Sequence, residues 1–469
     1  MKWWNNALIY QIYIRSFNKN INGIRNKIPY LKKLNIDAIW INPFFKDGGK
    51  DGGYDVIDYY NINEEFGNLK DIKNMISDLH NNNIKLIIDL PLNHTSNKNQ
   101  WFIDSENRNN NKDNWYIWKK EHELPKYWKS VFEISPWTYS SKRDEYYYHY
   151  FYKEQPDLNF ENSDVKKNIL NIVNFWINLG VDGIRFDAVS NYVSDPKFRE
   201  NEYMLDKQLN TDQTMEFINS ISKNIKQKTK DIFLIGEQDP YYTDIIHEKK
   251  LMLGLDKLMN FKFAYNNFFD PYVFMTILKK NKDMIYFLNN HDVQRNRYGE
   301  DNPEIAKIMA TLLMIQNNTK IIYYGQEIGM FNGKDYQIDK VGRDVARSPM
   351  QWFNNIDDYK VDFNWIPVNI DNIEIRNVED QEIDPYSIMN WYINLSKLSK
   401  ILIDNIYDIK VDNCILSCKR KSIDNQVYTF YMNFEDKIKD LNLQNIILQT
   451  SSKIRVGKIQ GYETIITVS

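Results

Sequence analysis

Short apolar runs alternate with stretches of helical spacing through roughly the first 90 residues. Ala7–Tyr13 reads as a strand, Ile28, Leu31 and Leu34 share one helical face, and Ile36–Ile41 reads as a second strand. Ile72, Met75, Ile76 and Leu79 mark another helix ahead of the run Ile84–Asp89. Apolar positions three and four apart make a helical face, whereas a brief unbroken apolar run fits a strand covered on both sides. After residue 160 the rhythm resumes. Ser163 is placed to cap a helix whose inner face carries Ile169, Ile172, Val173 and Trp176, and Gly180 is placed to end it. Further strands are expected over 181–187, 232–237, 257–262, 284–288 and 319–324. Eight strand–helix repeats predict an α/β fold, a closed (β/α)8 TIM barrel rather than an open doubly wound sheet.

Two stretches break the rhythm. Residues 94–160 are polar and aromatic with no clear period, and are too long for a plain connection. They read as a small domain inserted after the third strand. From 404 onward alternation and turn residues predict an all-β domain. The expected organisation is a first barrel segment over 1–93, the insert over 94–160, the remaining barrel over 161–403 and a C-terminal β domain over 404–469.

Composition removes several classes of function. Sixty Lys and Arg against 63 Asp and Glu leave a net charge of −3, which attracts neither nucleic acid nor an anionic membrane. No run of 18 apolar residues occurs, and the opening MKWWNNALIYQIYIRSF has no uninterrupted apolar signal region, so a cytoplasmic protein is expected. The only cysteines, Cys414 and Cys418, are no disulfide framework and are expected as buried free thiols. Aromatic residues reach 14%; part of that is core, and part suits a site for sugar rings, whose apolar C–H faces stack on aromatic rings.

The chemistry is expected where the strands end. The third strand runs into Asp89-Leu90-Pro91-Leu92-Asn93-His94, the fourth is Gly183-Ile184-Arg185-Phe186-Asp187, the fifth ends at Glu237, and the seventh runs into His291-Asp292. In a (β/α)8 barrel the carboxyl ends of the strands converge on one mouth. Asp187, Glu237 and Asp292 would therefore meet there, although 50 and 55 residues separate them in sequence. Glycoside hydrolysis needs such a set: one carboxylate attacks the anomeric carbon while a second carboxyl group, roughly 5–5.5 Å away in a retaining enzyme, protonates the leaving oxygen. Arg185, two residues before Asp187 on the same side of the strand, would keep it ionised and aimed. His94 and His291, each beside an acidic or amide residue, suit hydrogen bonding to sugar hydroxyls. Any one of these has a plain structural explanation, an Asp as a helix cap or an Arg–Asp pair as an ion pair. Four such strand ends together favour a catalytic mouth.

These segments resemble the signature runs of the α-amylase superfamily of glycoside hydrolases, and within it the oligo-1,6-glucosidase/α-glucosidase group. The resemblance begins with Tyr10–Phe17 and Gly53–Tyr59 and includes Asp89–Ser96 (DLPLNHTS), Gly183–Ala188 (GIRFDA) and Phe287–Asp292 (FLNNHD). Gln155–Asn159 (QPDLN) and Arg343–Trp352 (RDVARSPMQW) match the narrower group. The resemblance implies Asp187 as nucleophile, Glu237 as acid/base and Asp292 as transition-state stabiliser. It implies that Tyr54, Asp55, His94, Arg185 and His291 bind the glucosyl unit, and that Arg297 pairs with Asp55 on its terminal 4-hydroxyl. The implied activity is exo-acting hydrolysis of α-1,4 or α-1,6 bonds at the non-reducing end of a small oligosaccharide, with no nucleic-acid or membrane partner and the oligomeric state open. Relatives acting on trehalose 6-phosphate, sucrose or trehalose, or transferring or isomerising glucosyl groups, are the alternatives. A catalytically inactive interaction protein, like the heavy chains of amino-acid transporters, is a remote one, because all three carboxylates are kept.

Two departures from the family pattern stand out. The stretch that carries a calcium loop in many members holds Asn18, Asn20, Asn22 and Asn26 in place of acids, so no cofactor and weak or absent calcium are expected. The residue after the nucleophile is Ala188, which in this group goes with α-1,4 rather than α-1,6 preference.

Overall fold

The computed structural model describes the whole chain except residues 1, 126–127, 194–208, 210, 242–243, 267, 281, 296–300, 340, 360–364 and 453–455. Eight parallel strands fall where the apolar runs predict them: β1 Leu8–Ile12, β2 Ala38–Ile41, β3 Lys85–Leu90, β4 Gly183–Phe186, β5 Phe233–Gly236, β6 Lys257–Leu258, β7 Tyr286–Phe287 and β8 Lys320–Tyr323. Their order in the sheet is β6-β5-β4-β3-β2-β1-β8-β7. That is chain order taken around a circuit and opened between β6 and β7, as a (β/α)8 barrel requires. At the opening, the Asn260 N–H just after β6 still donates to the Ile285 carbonyl just before β7, at 2.8 Å. The chain forms two compact units. One comprises Met1–Lys19, Asn26–Ile39 and Asn260–Ser469, the other Asn20–Arg25 and Trp40–Met259.

A recurring aspartate sets the strand register. Asp182, one residue before β4, donates its N–H to the Leu86 carbonyl and accepts the Leu86 N–H on its carboxylate, at 2.8 and 2.9 Å. Asp256, one residue before β6, does the same to Leu234 of β5, both bonds at 2.9 Å. In the other unit Asp37, one residue before β2, does it to Leu8 of β1. Each carboxylate has a lysine beside it: Lys85 on Asp182, Lys226 on Asp256 and Lys400 on Asp37. A side chain that completes the ladder where a strand begins removes the one-residue slip that would turn every side chain to the other face.

The crossover helices follow their caps. Helix α1, Leu69–Asn81, opens with a capping box in which Asn68 and Asp71 exchange side-chain bonds with each other's backbone N–H groups. It buries Ile72, Met75, Ile76 and Leu79, the face read from spacing. Helix α2, Ser163–Leu179, ends at Gly180 in the left-handed conformation (φ 113°). Its cap is Asn162, whose side chain accepts the Asp164 N–H, and not Ser163, which is the first helical residue. Burial of Val165, Ile169, Ile172, Val173 and Trp176 fixes α2, at roughly 1.5–3 kcal/mol for each large aliphatic side chain.

Within 94–160 a short helix, Gln100–Glu106, precedes a three-stranded antiparallel sheet of Trp118–Lys119, Glu145–Tyr148 and Trp137–Ser140. The aromatic residues that blurred the sequence pattern here form its core, where Trp137, Tyr148 and Tyr150 pack on Leu209. The C-terminal strands β9 Tyr407–Asp412, β10 Ile415–Lys421, β11 Val427–Asn433, β12 Ile446–Gln449 and β13 Thr464–Val468 form an antiparallel sheet in the order β9-β10-β11-β13-β12. Cys418 lies on β10 and is buried, which pushes its thiol up to about 12. Cys414 does not share that strand: it sits half-buried in the preceding turn with φ 54°. Among the described residues no helix is long and apolar enough to cross a membrane.

Candidate active site

The register of β3, β4 and β5 brings the polar strand ends to one level. Asp89 pairs with Arg185 and Arg185 with Ile235; one step on, Leu90 pairs with Phe186 and Phe186 with Gly236. Asp187 and Glu237 thus leave neighbouring parallel strands at the same height, where strand spacing alone sets about 4.8 Å between backbones. Gly236 leaves room just before Glu237: a Cβ there would stand 2.5 Å from a Leu255 methyl and 2.9 Å from a Leu258 methyl, and both side chains would have to shift.

One guanidinium joins the group. Arg185 is fully buried, and its Nη1 donates to Asp89 at 2.6 and 2.8 Å and to Asp187 Oδ1 at 2.5 Å. Its Nη2 lies 2.7 Å from Glu237 Oε2. Three carboxylates around one cation leave a net charge of −2 when all are ionised, which favours the uptake of a proton by the group. Burial raises Asp89 to about 6, against the pull of Arg185 and with the charge of Glu237 adding to the rise. Asp89 also accepts from the Tyr54 hydroxyl at 3.0 Å and the Trp40 indole at 3.3 Å. Beyond Asp187 the chain turns sharply. Ala188 takes a left-handed conformation (φ 47°, ψ 43°) that points its N–H at Glu237 Oε2, 3.2 Å away.

A second group lies on the loops after β2 and β3. His94 is buried, with Nε2 3.1 Å from the Tyr54 carbonyl and 3.0 Å from Gln155 Nε2. Gln155 Nε2 donates to Asp51 Oδ2 at 3.0 Å. Burial lowers His94 to about 4, so the ring is neutral near pH 7. Asp55, expected in this group, turns its carboxylate to the backbone N–H groups of Lys50 and Asp51, at 3.1 to 3.2 Å, and burial raises it to about 7. Asp51, not Asp55, shares the hydrogen-bonded set with His94 and Gln155. The loop 48–55 holds four glycines and follows no period, so spacing alone does not single out Asp51.

Asp157 of the QPDLN run is fully buried and accepts from Tyr150 N–H and Asn93 Nδ2, both at 3.0 Å. Burial raises it from 3.8 to about 7. A carboxyl group raised on folding contributes its stability below the unfolded value and loses it as pH climbs through the folded one, here between pH 4 and 7. The loss is on the order of 4 kcal/mol at most. Asp157→Asn should therefore flatten the decline of Tm from pH 5 to pH 8, read by calorimetry. An unchanged slope would place the proton elsewhere.

In the other compact unit, Asp292 follows β7. Arg343 Nη1 and Arg347 Nη2 donate to Asp292 Oδ1 at 3.0 and 3.1 Å. Arg347 also holds the His291 carbonyl at 2.9 Å, while His291 Nδ1 lies 3.0 Å from Gln11 and its Nε2 3.1 Å from Asp292 Oδ2. Tyr13 stacks on His291 and on Trp365, with centroids at 6.4 and 5.4 Å. The two arginines stand four apart across a 3-10 turn, Arg343–Ala346. The RDVAR run carried them in plain view, but what they would hold was not legible. Arg297 lies outside the described residues.

The stretch considered for calcium does not fit a hard dication. Asn20 Oδ1 accepts the Gly23 N–H at 2.9 Å, and Asn22 Oδ1 accepts Arg25 Nη1 at 2.8 Å. Arg25, paired with Asp78 at 2.6 Å, sets a fixed cation among these amides.

The family described as alpha amylase, catalytic domain, matches residues 11–404. The oligo-1,6-glucosidase of Parageobacillus thermoglucosidasius is 32% identical, over 97% of this chain and 94% of that protein. A variant of isomaltulose synthase from Erwinia rhapontici NX5, solved in complex with its natural substrate sucrose, aligns with a TM-score of 0.88 at 26% identity, covering 100% of this chain and 99% of that one. A variant of trehalose-6-phosphate hydrolase from Bacillus licheniformis gives 0.85 at 26% identity, with 100% of both chains covered.

Proposed function

Because the chain belongs to the α-amylase family of glycoside hydrolases, as an enzyme of the oligo-1,6-glucosidase/α-glucosidase type, we propose that it is a retaining, exo-acting α-glucosidase on short oligosaccharides. The observation that carries this reading is that Asp187 and Glu237 leave the paired ends of β4 and β5 at one level and are tied to the same guanidinium. A strand spacing of about 4.8 Å suits the roughly 5–5.5 Å between carboxyl groups of a retaining glycosidase.

Asp187 attacks the anomeric carbon while Glu237 gives its proton to the glycosidic oxygen, which leaves with the bonding pair. The resulting glucosyl ester on Asp187 is then opened by water. Glu237, now a carboxylate, takes a proton from that water, and the new C–O bond forms as the ester bond breaks. Arg185 keeps Asp187 ionised and therefore nucleophilic. Tyr54, His94 and Asp51 are assigned to the hydroxyls of the bound glucosyl unit, with His94 neutral at working pH. Asp292 and His291 take the roles their motif implies, steadying the transition state and binding the sugar, and the two arginines on Asp292 keep it charged.

Ala188 supports α-1,4 bonds as the preferred substrate. A panel of maltose, isomaltose, sucrose, trehalose, trehalose 6-phosphate and soluble starch tests this. Maltose should be cleaved to glucose with the α-anomer released first, and preference for trehalose 6-phosphate or release of the β-anomer would overturn the reading. The same panel separates the alternatives suggested by the trehalose-6-phosphate hydrolase and isomaltulose synthase likenesses. The asparagine-lined stretch leads to one more expectation: EDTA should leave turnover unchanged and shift Tm by less than about 1 °C, since amides and the Arg25 cation offer a dication little there. A large drop restored by calcium would contradict it.

A further inference from the structure

Beyond the catalytic carboxylates, an open cavity of about 860 Å3 lies within the unit that carries the C-terminal sheet. That lies within the roughly 300–1,000 Å3 typical of small-molecule pockets. Its wall is built from the first turn of the helix Pro303–Met314, the segment 375–388 and loops of the C-terminal sheet.

The wall is ordered before any ligand arrives. Lys307 is buried and holds Glu304 at 2.7 Å and the Thr450 carbonyl at 3.1 Å. Arg376, also buried, donates to the Asp301 carbonyl at 2.9 Å and stands 5.3 Å from the Phe331 ring. Both cations are thus engaged within the protein, while Asp301, Asp384 and Asp436 also line the cavity. Its charge balance is acidic, which disfavours phosphates and other polyanions. Against this polar wall stand three exposed apolar surfaces: Tyr386 at 41%, Ile375 at 61% and Ile438 at 46% exposure. The backbone at Tyr386 is held by a tight turn in which Asp384 Oδ1 accepts its N–H at 2.9 Å. Gly461 permits the close approach of the 436 loop, because a Cβ there would meet Asp436 Oδ1 at 2.6 Å.

We propose that this cavity is a second, non-catalytic binding site for a neutral glucan chain. A pyranose presents C–H faces to an aromatic or aliphatic surface and hydroxyls to carboxylates and amides at its rim, the two chemistries this wall alternates. Among the described residues the wall is net acidic and both of its cations are already engaged, which selects an uncharged polyol over a sugar phosphate. The choice of a glucan rests on the α-glucosidase reading; the site itself does not.

The test uses native enzyme whose catalytic site is saturated with 1-deoxynojirimycin, so that added maltoheptaose reports only binding elsewhere. Saturation-transfer NMR should detect maltoheptaose under these conditions, and the signal should fall about tenfold in a Tyr386→Ala/Asp384→Ala variant. That variant should hydrolyse p-nitrophenyl α-glucoside normally and long maltodextrins less efficiently. No binding beside the inhibitor, equal binding by the variant, or equal binding of trehalose 6-phosphate would overturn the proposal. Loss of p-nitrophenyl α-glucoside turnover by native enzyme would instead count against the catalytic reading alone.

Discussion

Asp187→Ala should lower kcat for p-nitrophenyl α-glucoside by at least about 10⁴-fold, because no other group on the path forms the covalent bond that divides the reaction into two steps. The folded state should survive, since Asp187 is a partner of Arg185 and not its only one. Added azide distinguishes a lost nucleophile from a damaged site. In the space left by the carboxylate, azide can attack the anomeric carbon as the C–O bond breaks, and Glu237 still protonates the leaving oxygen. The product should be β-glucosyl azide, inverted at the anomeric centre. Turnover near the native level, or an α-azide product, would remove Asp187 from the role.

Arg185→Met is expected to damage stability as well as activity. Arg185 and Asp89 are both fully buried, and the Asp187 and Glu237 side chains are 10% and 19% exposed. Removing the cation leaves three carboxylates crowded at the ends of β3, β4 and β5 with their charge uncompensated, a loss of about 3–5 kcal/mol by the measure of broken buried ion pairs. Arg185→Lys should recover only part of it, because an ammonium is a point charge and cannot reach three carboxylates with a planar fork. Denaturant unfolding at pH 5 and pH 8 gives a direct check. The Met variant should lose less at pH 5, where Asp89 (raised to about 6) is mostly protonated. Equal loss at both values would mean that packing over Trp40, 5.1 Å away, outweighs charge.

The barrel was legible in the sequence because its strands are buried on both faces and announce themselves as apolar runs. The same runs end in the polar residues that converge, so Asp187, Glu237 and Arg185 were legible with it. What stayed hidden depends on contacts between distant segments or on irregular backbone. Asp55 and Asp51 are four residues apart in a glycine-rich loop, where no period says which carboxylate turns to Gln155 beside His94 and which to its own backbone. Arg343 and Arg347 could be matched to a motif, but their hold on Asp292 is made by chain more than 50 residues further on. Asn162 and Ser163 are both good cap residues, and only the backbone conformation decides between them. The insert was legible as an interruption and nothing more, since its core is aromatic and its strands are two to four residues long.

The left-handed turn at Ala188 carries a consequence for how such an enzyme diverges. Exchanging this alanine for valine looks like the addition of two methyl groups beside the substrate. Side chains branched at Cβ resist φ near 47°, so valine would push the turn toward another conformation and swing the N–H away from Glu237. A change of bond specificity by that exchange would therefore also load strain onto the start of the 3-10 turn Val189–Asn191, so it acts on the backbone behind the acid/base and not only on the space beside the sugar.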